Sequence, residues 1–195
     1  MTRDIIQAET ANTETMVDIF GRGFADDPMF QFLSPKPDFA RFVFEMTTQN
    51  YIDLQCSCVD RAGGGATLWQ GPGQHVKEAV EFKAIWRGLK RFGLGTLIKL
   101  LRVDAVLSKQ HPNKPHYYLF AIATAVDARG SGIGSALMQK TLRQADEAGI
   151  GCYLENSKSK NLAFYQGHGF KVIREFQPLK GSPTMYLMWR EPISR

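Results

Sequence analysis

An apolar run, YYLFAIATAV from Tyr117 to Val126, gives way almost at once to ARGSGIGSAL (Ala128 to Leu137), so a buried segment must become a helix through three glycines on alternate positions. The run is about half of the roughly 20 residues that span a bilayer and reads as a buried strand. After the glycines, Ile133, Leu137, Met138, Leu142 and Ala145 recur on one stripe, and Gly149 stands where a helix would stop. From Tyr117 onward the pattern is strand, glycine turn, helix, strand, helix, strand, strand, which predicts an α/β unit.

Upstream, Met16, Ile19, Phe20, Gly23 and Phe24 recur at intervals of three and four, predicting an amphipathic helix that ends in ADDP, Ala25 to Pro28. Phe39, Phe42, Val43, Met46 and Asn50 predict a second helix after Pro35 and Pro37. Gly63-Gly64-Gly65 separates two short apolar pieces, Cys56 to Asp60 and Ala66 to Trp69, as in a strand hairpin. Glu78 to Lys109 reads as helical, interrupted at Gly93 and Gly95 and ended before HPNKP, His111 to Pro115. At 195 residues the chain suffices for one domain with its own core, which its two halves are expected to share.

A content of 44% hydrophobic and 22% charged residues excludes a disordered or fibrous chain. The amino-terminal MTRDIIQAET has no apolar stretch behind its charges, which sets aside a secretory signal and makes the cytoplasm the expected compartment. Cys56, Cys58 and Cys152 are too few and scattered for a disulfide framework. His75, His111, His116 and His168 form no i, i+4 pair, so no metal is expected. The net charge of +5 suits nucleic acid, a membrane surface or a polyphosphorylated small molecule alike. The basic run of Arg87, Lys90, Arg91, Lys99 and Arg102 is interleaved with apolar residues as on a solvated helix face, so neither nucleic acid nor membrane is an expected partner.

The glycine segment carries the chemistry. Glycines let the backbone approach a bulky anion, and the first N–H groups of the following helix point at it with the positive end of the helix dipole. A Walker loop requires a lysine directly after its glycines, and the first here is Lys140. A dinucleotide fingerprint starting at Gly130 meets Ser135 where glycine is required, and a hydrolase elbow around Ser131 meets Arg129. The segment does fit the pattern Q/R-x-x-G-x-G/A, through Arg129, Gly132 and Gly134, and so resembles the pyrophosphate loop of the GNAT acetyltransferases.

CYLENSKSKNLAFYQGHGFKV, Cys152 to Val172, strengthens that resemblance. In the family a strand ends near an acidic or polar residue, an asparagine opens the next helix beside the cofactor, and a tyrosine one turn on reaches its sulfur. Glu155, Asn161 and Tyr165 occupy those places. Asn161 and Tyr165 are four residues apart and project from one helix face toward one groove. Outside that context Asn161 would read as a helix cap, Tyr165 as core and Glu155 equally as a surface carboxylate. PHYYL (Pro115 to Leu119), GSAL, YLEN and TMYLMWREP resemble the puromycin N-acetyltransferase-like branch most closely, across about residues 57 to 192. Two positions depart from the family: Ala125-Val126-Asp127 replaces V-x-P before the loop, and Ser131 replaces a common lysine or arginine.

The resemblance implies a mixed α/β (α+β) fold with a mostly antiparallel central sheet, flanked by helices and splayed at the cofactor-binding strand. It implies a single domain over residues 1–195, with 1–110 mainly acceptor side and helical insertion and 115–192 the acetyl-CoA-binding core. Acetyl-CoA would lie against Ile122, Ala123, Thr124, Arg129, Gly130, Ser131, Gly132, Ile133, Gly134, Ser135, Asn161 and Tyr165. Glu155 would take a proton from a small-molecule primary amine and Tyr165 would return one to the thiolate. Phe24, Asp26, Asp27, Phe30 and Trp69 are candidate acceptor walls, although turn chemistry accounts equally for the two aspartates. Arg129, Lys158 and Lys160 would neutralise the phosphates. Many such proteins are homodimers, and a GNAT-shaped module that binds CoA without turnover is the competing expectation.

Overall fold

The structure, a computed structural model, describes residues 4–76 and 82–193. Seven strands form one open sheet: β1 (Ile5–Gln7), β2 (Cys58–Asp60), β3 (Gly65–Gln70), β4 (Tyr117–Thr124), β5 (Cys152–Asn156), β6 (Lys171–Phe176) and β7 (Met185–Arg190). Their order is β1-β2-β3-β4-β5-β7-β6, and all neighbours are antiparallel except β4 and β5. Helices α1 (Thr13–Gly23), α2 (Pro28–Leu33), α3 (Phe39–Ile52), α4 (Phe82–Phe92), α5 (Leu94–Ser108), α6 (Ile133–Glu147) and α7 (Leu162–Gly167) flank it. This is the expected mixed fold, and both halves of the sequence contribute strands to the same sheet.

One face is closed by Met16, Ile19 and Phe20 of α1 and Phe44, Tyr51 and Ile52 of α3, packed on Ala66, Leu68, Ala121 and Ala123. The other is closed by Met138, Leu142 and Ala145 of α6 with Tyr165 of α7, packed on Trp69, Leu119, Cys152, Leu154 and Met188. Each large apolar side chain buried here contributes about 2 kcal/mol over its exposed state. The stripe read from the sequence is therefore the one that docks α6, and Gly149 ends that helix at φ +64° with its N–H on the Asp146 carbonyl.

Two details depart from the sequence reading, and one lies beyond what the structure describes. Only Gly93 breaks the helical hairpin, at φ +85°, whereas Gly95 lies inside the first turn of α5. The described helix begins at Phe82; residues 78–81 of the expected helix lie outside the described residues. The glycine run does more than turn a hairpin. A Cβ on Gly64 would sit 2.5 Å from Ile133 Cδ1, and one on Gly65 would sit 2.9 Å from Ile133 Cγ2 and 3.0 Å from the Ala123 carbonyl. Bare backbone at Gly64 and Gly65 thus lets the β2–β3 hairpin press against the start of α6 and fixes where that helix begins.

β4 is irregular where it matters. Leu68 pairs with Ala121 but Trp69 pairs with Leu119, which leaves Phe120 as an extra residue, a bulge that turns the strand. On its other side, β4 pairs with β5 only through Tyr117–Leu119 against Cys152–Leu154. Beyond Leu119 the two strands part, and β5 goes on pairing with β7 at Glu155 and Asn156. The sheet is splayed at the strand where splaying was expected.

Candidate active site

Beside the parted strands lies a cleft of about 310 Å³, walled by Ile122, Ala123 and Thr124 of β4, by Gly23 at the end of α1 and Asp26 after it, and by Arg129, Lys158, Lys160 and Asn161. The α6 turn leads out of it. Gly130 (φ +73°) and Gly132 (φ +82°) take left-handed backbone that a side chain would strain, and Gly132 caps α6 without a side-chain acceptor. The first N–H groups of the helix therefore have no intrahelical partner, and they carry the positive end of a helix of 15 residues. The Ser131 hydroxyl donates to the Ala128 carbonyl and tightens the turn. Gly134 has room for one methyl, since a Cβ there would lie 3.5 Å from Phe164 and 3.6 Å from Thr124.

Three cations face this cleft against one carboxylate. Lys158 donates to Asp26 at 2.6 Å and Lys160 at 3.5 Å, and the hydrogen bond from Lys158 holds the Asp26 carboxyl below its ordinary value. Asp27 next to it is structural. Its Oδ1 accepts from the N–H groups of Met29 and Phe30, capping α2 ahead of Pro28, and its Oδ2 accepts from Ser157 at 2.7 Å. The two aspartates thus tie the loop after α1 to the loop after β5. Asn156 shapes that second loop, accepting from the Lys158 N–H and donating to its carbonyl. The donor set and the open helix end fit a polyphosphate group.

Glu155 sits on the face opposite Leu154. Its side chain is 6% exposed, and its oxygens accept from Tyr153 at 3.1 Å and Tyr118 at 3.3 Å, with His111 Nε2 3.8 Å away. Burial raises its pKa to about 7; the two tyrosine hydroxyls pull it down and the Asp104 carboxylate adds to the rise. It is not a plain surface carboxylate. A carboxyl poised near neutrality accepts and gives up protons in the physiological range.

The remaining sequence-picked residues divide. Ile122, Ala123, Thr124, Arg129 and Asn161 come together on the cleft, with Gly130 through Ser135 forming the turn that leaves it. Asn161 and Tyr165 do not share that surface: Asn161 lines the cleft, whereas Tyr165 is buried among Met138, Leu154 and Phe170. Burial and the nearby Asp27 carboxylate push the Tyr165 phenol well above its ordinary value, so it stays protonated. Phe24 and Phe30 belong to an aromatic cluster with Phe44, at ring separations of 5.0 and 5.7 Å. Trp69 is no acceptor wall: it is fully buried in the α6-side core. Every residue of β3 through Trp69 is buried, so both faces are covered and alternation along the strand marks no open side. Sequence reasoning missed Tyr118, Tyr153 and His111 around Glu155. The signal for one was there, since Tyr153 and Glu155 are two apart on a strand and share a face.

Among the described residues no group of three or more His, Cys, Asp and Glu is arranged to hold a metal ion, and no helix is long and apolar enough to cross a membrane.

Residues 95–172 match the acetyltransferase (GNAT) domain family. The chain is 26% identical over 172 residues to an uncharacterized N-acetyltransferase of Schizosaccharomyces pombe, covering 80% of this chain and 68% of that protein. It is 32% identical over 79 residues to a probable serine/threonine-protein kinase of Dictyostelium discoideum, 40% of this chain, and spans only 11% of that protein's length. Among solved structures, the histone acetyltransferase HPA2 and related acetyltransferase from Corynebacterium glutamicum aligns at TM-score 0.73 and 25% identity, over 100% of this chain and 99% of that one. Arylalkylamine N-acetyltransferase 2 from Aedes aegypti aligns at TM-score 0.67 and 12% identity, over 98% and 99%. The fold is the GNAT fold.

Proposed function

We propose that the chain is a cytoplasmic N-acetyltransferase that moves an acetyl group from acetyl-CoA directly to a primary amine of a small molecule, in the puromycin N-acetyltransferase-like branch of the GNAT family. The observation that carries the reading is the parting of β4 and β5 beside the open N-terminus of α6, which sets an anion cradle next to an unpaired strand edge. Similarity to N-acetyltransferases, one of them named for arylalkylamines, supports an amine acceptor. The free thiols of Cys56, Cys58 and Cys152 suit a reducing compartment.

Arg129, Lys158, Lys160 and the N–H groups from Gly130 to Ser135 would hold the phosphates of acetyl-CoA, and Ile122 to Thr124 with Asn161 would hold its pantetheine arm. When bound, it supplies an acetyl group already activated as a thioester. The backbone N–H groups of β4 beyond the bulge polarise the carbonyl oxygen, because no strand competes for them on that side. Glu155, ionised above about pH 7 and set back from the cleft, would take through water the proton that the ammonium form of the acceptor must lose. Tyr165, held as a neutral phenol one helical turn beyond Asn161, would supply a proton to the departing sulfur by turning its hydroxyl out of the core toward the cleft.

The test is thermal stability with and without acetyl-CoA, followed by thiol release across a panel of primary amines. A rise in Tm with acetyl-CoA together with amine-dependent thiol release is expected. A rise without transfer to any amine would mean a CoA-binding module, and no rise at millimolar acetyl-CoA would end the reading.

A further inference from the structure

Glu155 does not border the cleft, and its carboxyl is closed in by rings. A base that takes one proton per turnover must also release one, and the structure contains a route. His111 Nε2 lies 3.8 Å from Glu155 Oε1, His111 Nδ1 lies 3.4 Å from His116 Nε2, and His116 Nδ1 lies 2.8 Å from the Lys114 carbonyl oxygen. A carbonyl oxygen only accepts, so His116 carries its proton on Nδ1 and leaves Nε2 bare. The contact between the rings then requires the His111 proton on Nδ1, which leaves its Nε2 bare toward Glu155. One backbone carbonyl fixes both tautomers, and each ring presents an acceptor inward and a donor outward.

We infer that His111 and His116 form a proton-exit relay, carrying the proton that Glu155 takes from the acceptor amine to water at the turn before β4. The inference rests on the acetyltransferase reading for the proton's source. The Glu155 O–H bond breaks as His111 Nε2–H forms, and His111 Nδ1–H breaks as His116 Nε2–H forms. His116 then loses its Nδ1 proton to water, and because both rings are partly exposed, proton exchange with water returns each to its Nδ1–H tautomer. The exit lies at the Tyr117 end of β4 while the cleft lies at the Thr124 end, so it stays open when both substrates fill the cleft.

The surroundings suit the task. Glu155 is faced by Tyr51 from α3, Asp104 from α5, Tyr118 from β4, Tyr153 from β5 and His111. Burial, with His116 second, lowers the His111 pKa to about 4, so it is neutral at rest and holds the proton only in passing. His111 packs against Tyr118 and Tyr153 at ring separations of 4.5 and 5.0 Å, and His116 lies 6.2 Å from Trp189, with Lys114 over that indole and paired with Glu191. Phenylalanine at either position keeps the ring packing and removes the nitrogens.

The experiment compares the full-length chain with His111→Phe, His116→Phe and Glu155→Gln, using acetyl-CoA and a primary amine in dilute buffer. Both phenylalanine variants should fold, keep KM for both substrates, and lose kcat by about tenfold or more, with the loss reversed by added imidazole. Unchanged kcat, or a loss that imidazole does not restore, overturns the relay and leaves the acetyltransferase reading intact if Glu155→Gln is inactive. Nitrogen-15 spectra of the imidazoles need no turnover. They should show Nδ1–H tautomers in both rings, and Glu155→Gln should move the titration of His111. A His111 ring that titrates independently of position 155, or an Nε2–H tautomer in either ring, refutes the relay, whereas a wild type that acetylates nothing refutes only the proposed function.

Discussion

Replacing Glu155 by Gln should make the protein more stable at alkaline pH and no more stable at acid pH. The buried carboxyl titrates near 7 against an ordinary value of 4.5. That difference corresponds to roughly 3 kcal/mol of preference for the neutral form in the folded state. The folded chain therefore holds this proton more tightly than the unfolded chain between about pH 4.5 and 7, stability falls as pH rises through that window, and the full penalty stands above it. Glutamine never ionises. It retains an acceptor for one of the two tyrosine hydroxyls at a cost of about 1 kcal/mol for the other. The variant should gain about 2 kcal/mol at pH 8.5, or roughly 4–8 °C in Tm for a chain of this length, and lose about 1 kcal/mol at pH 5. Calorimetry of both proteins without ligand, at matched ionic strength across that range, reads the crossing. A Tm difference that is the same at pH 5 and pH 8.5 would refute the buried-carboxyl argument. The same substitution should cost acetyl transfer about 100-fold or more, and the wild-type rate should rise with pH through about 7.

Gly134→Trp should abolish the stabilisation by acetyl-CoA, which is about 2.7 kcal/mol for the wild type at a hundred times Kd, while Gly134→Ala should keep it; differential scanning fluorimetry decides. Arg190→Met should cost about 3 kcal/mol in urea unfolding, because a guanidinium 4% exposed bonds both Asp146 oxygens at 2.7 and 2.8 Å and the His168 carbonyl at 3.0 Å. Asp27→Ala should cost about 1–2 kcal/mol by the same measurement, through the α2 cap and the Ser157 tie, and should weaken acetyl-CoA binding as Lys158 loses its fixed loop.

Local signals in the sequence were reliable where one element alone produced them. The α6 stripe, its glycine turn and its Gly149 stop follow from helical period and backbone sterics, and all three stand in the structure. Arg129, Thr124 and Asn161 meet on one cleft although 32 residues separate Arg129 from Asn161 in the numbering, and only the resemblance to a known family joined them beforehand. What stayed hidden depends on pairings that no local pattern encodes. Tyr118 reaches Glu155 because β4 runs parallel to β5 with Tyr118 beside Tyr153, and His111 reaches it because the turn after α5 folds back. Trp69 looked available because a strand covered on both faces has no alternation to show which of its side chains faces the core.

The short ladder between β4 and β5 divides the protein mechanically. Three residue pairs join a four-stranded plate, β1 to β4, to a three-stranded plate, β5 to β7. A ligand hydrogen-bonded along the free edge of β4 and against the loop after β5 would act as a weld across that joint. Occupancy would then be felt as stiffness, with amide exchange slowing in β6 and β1, at the outer margins of both plates, where no atom of the ligand reaches.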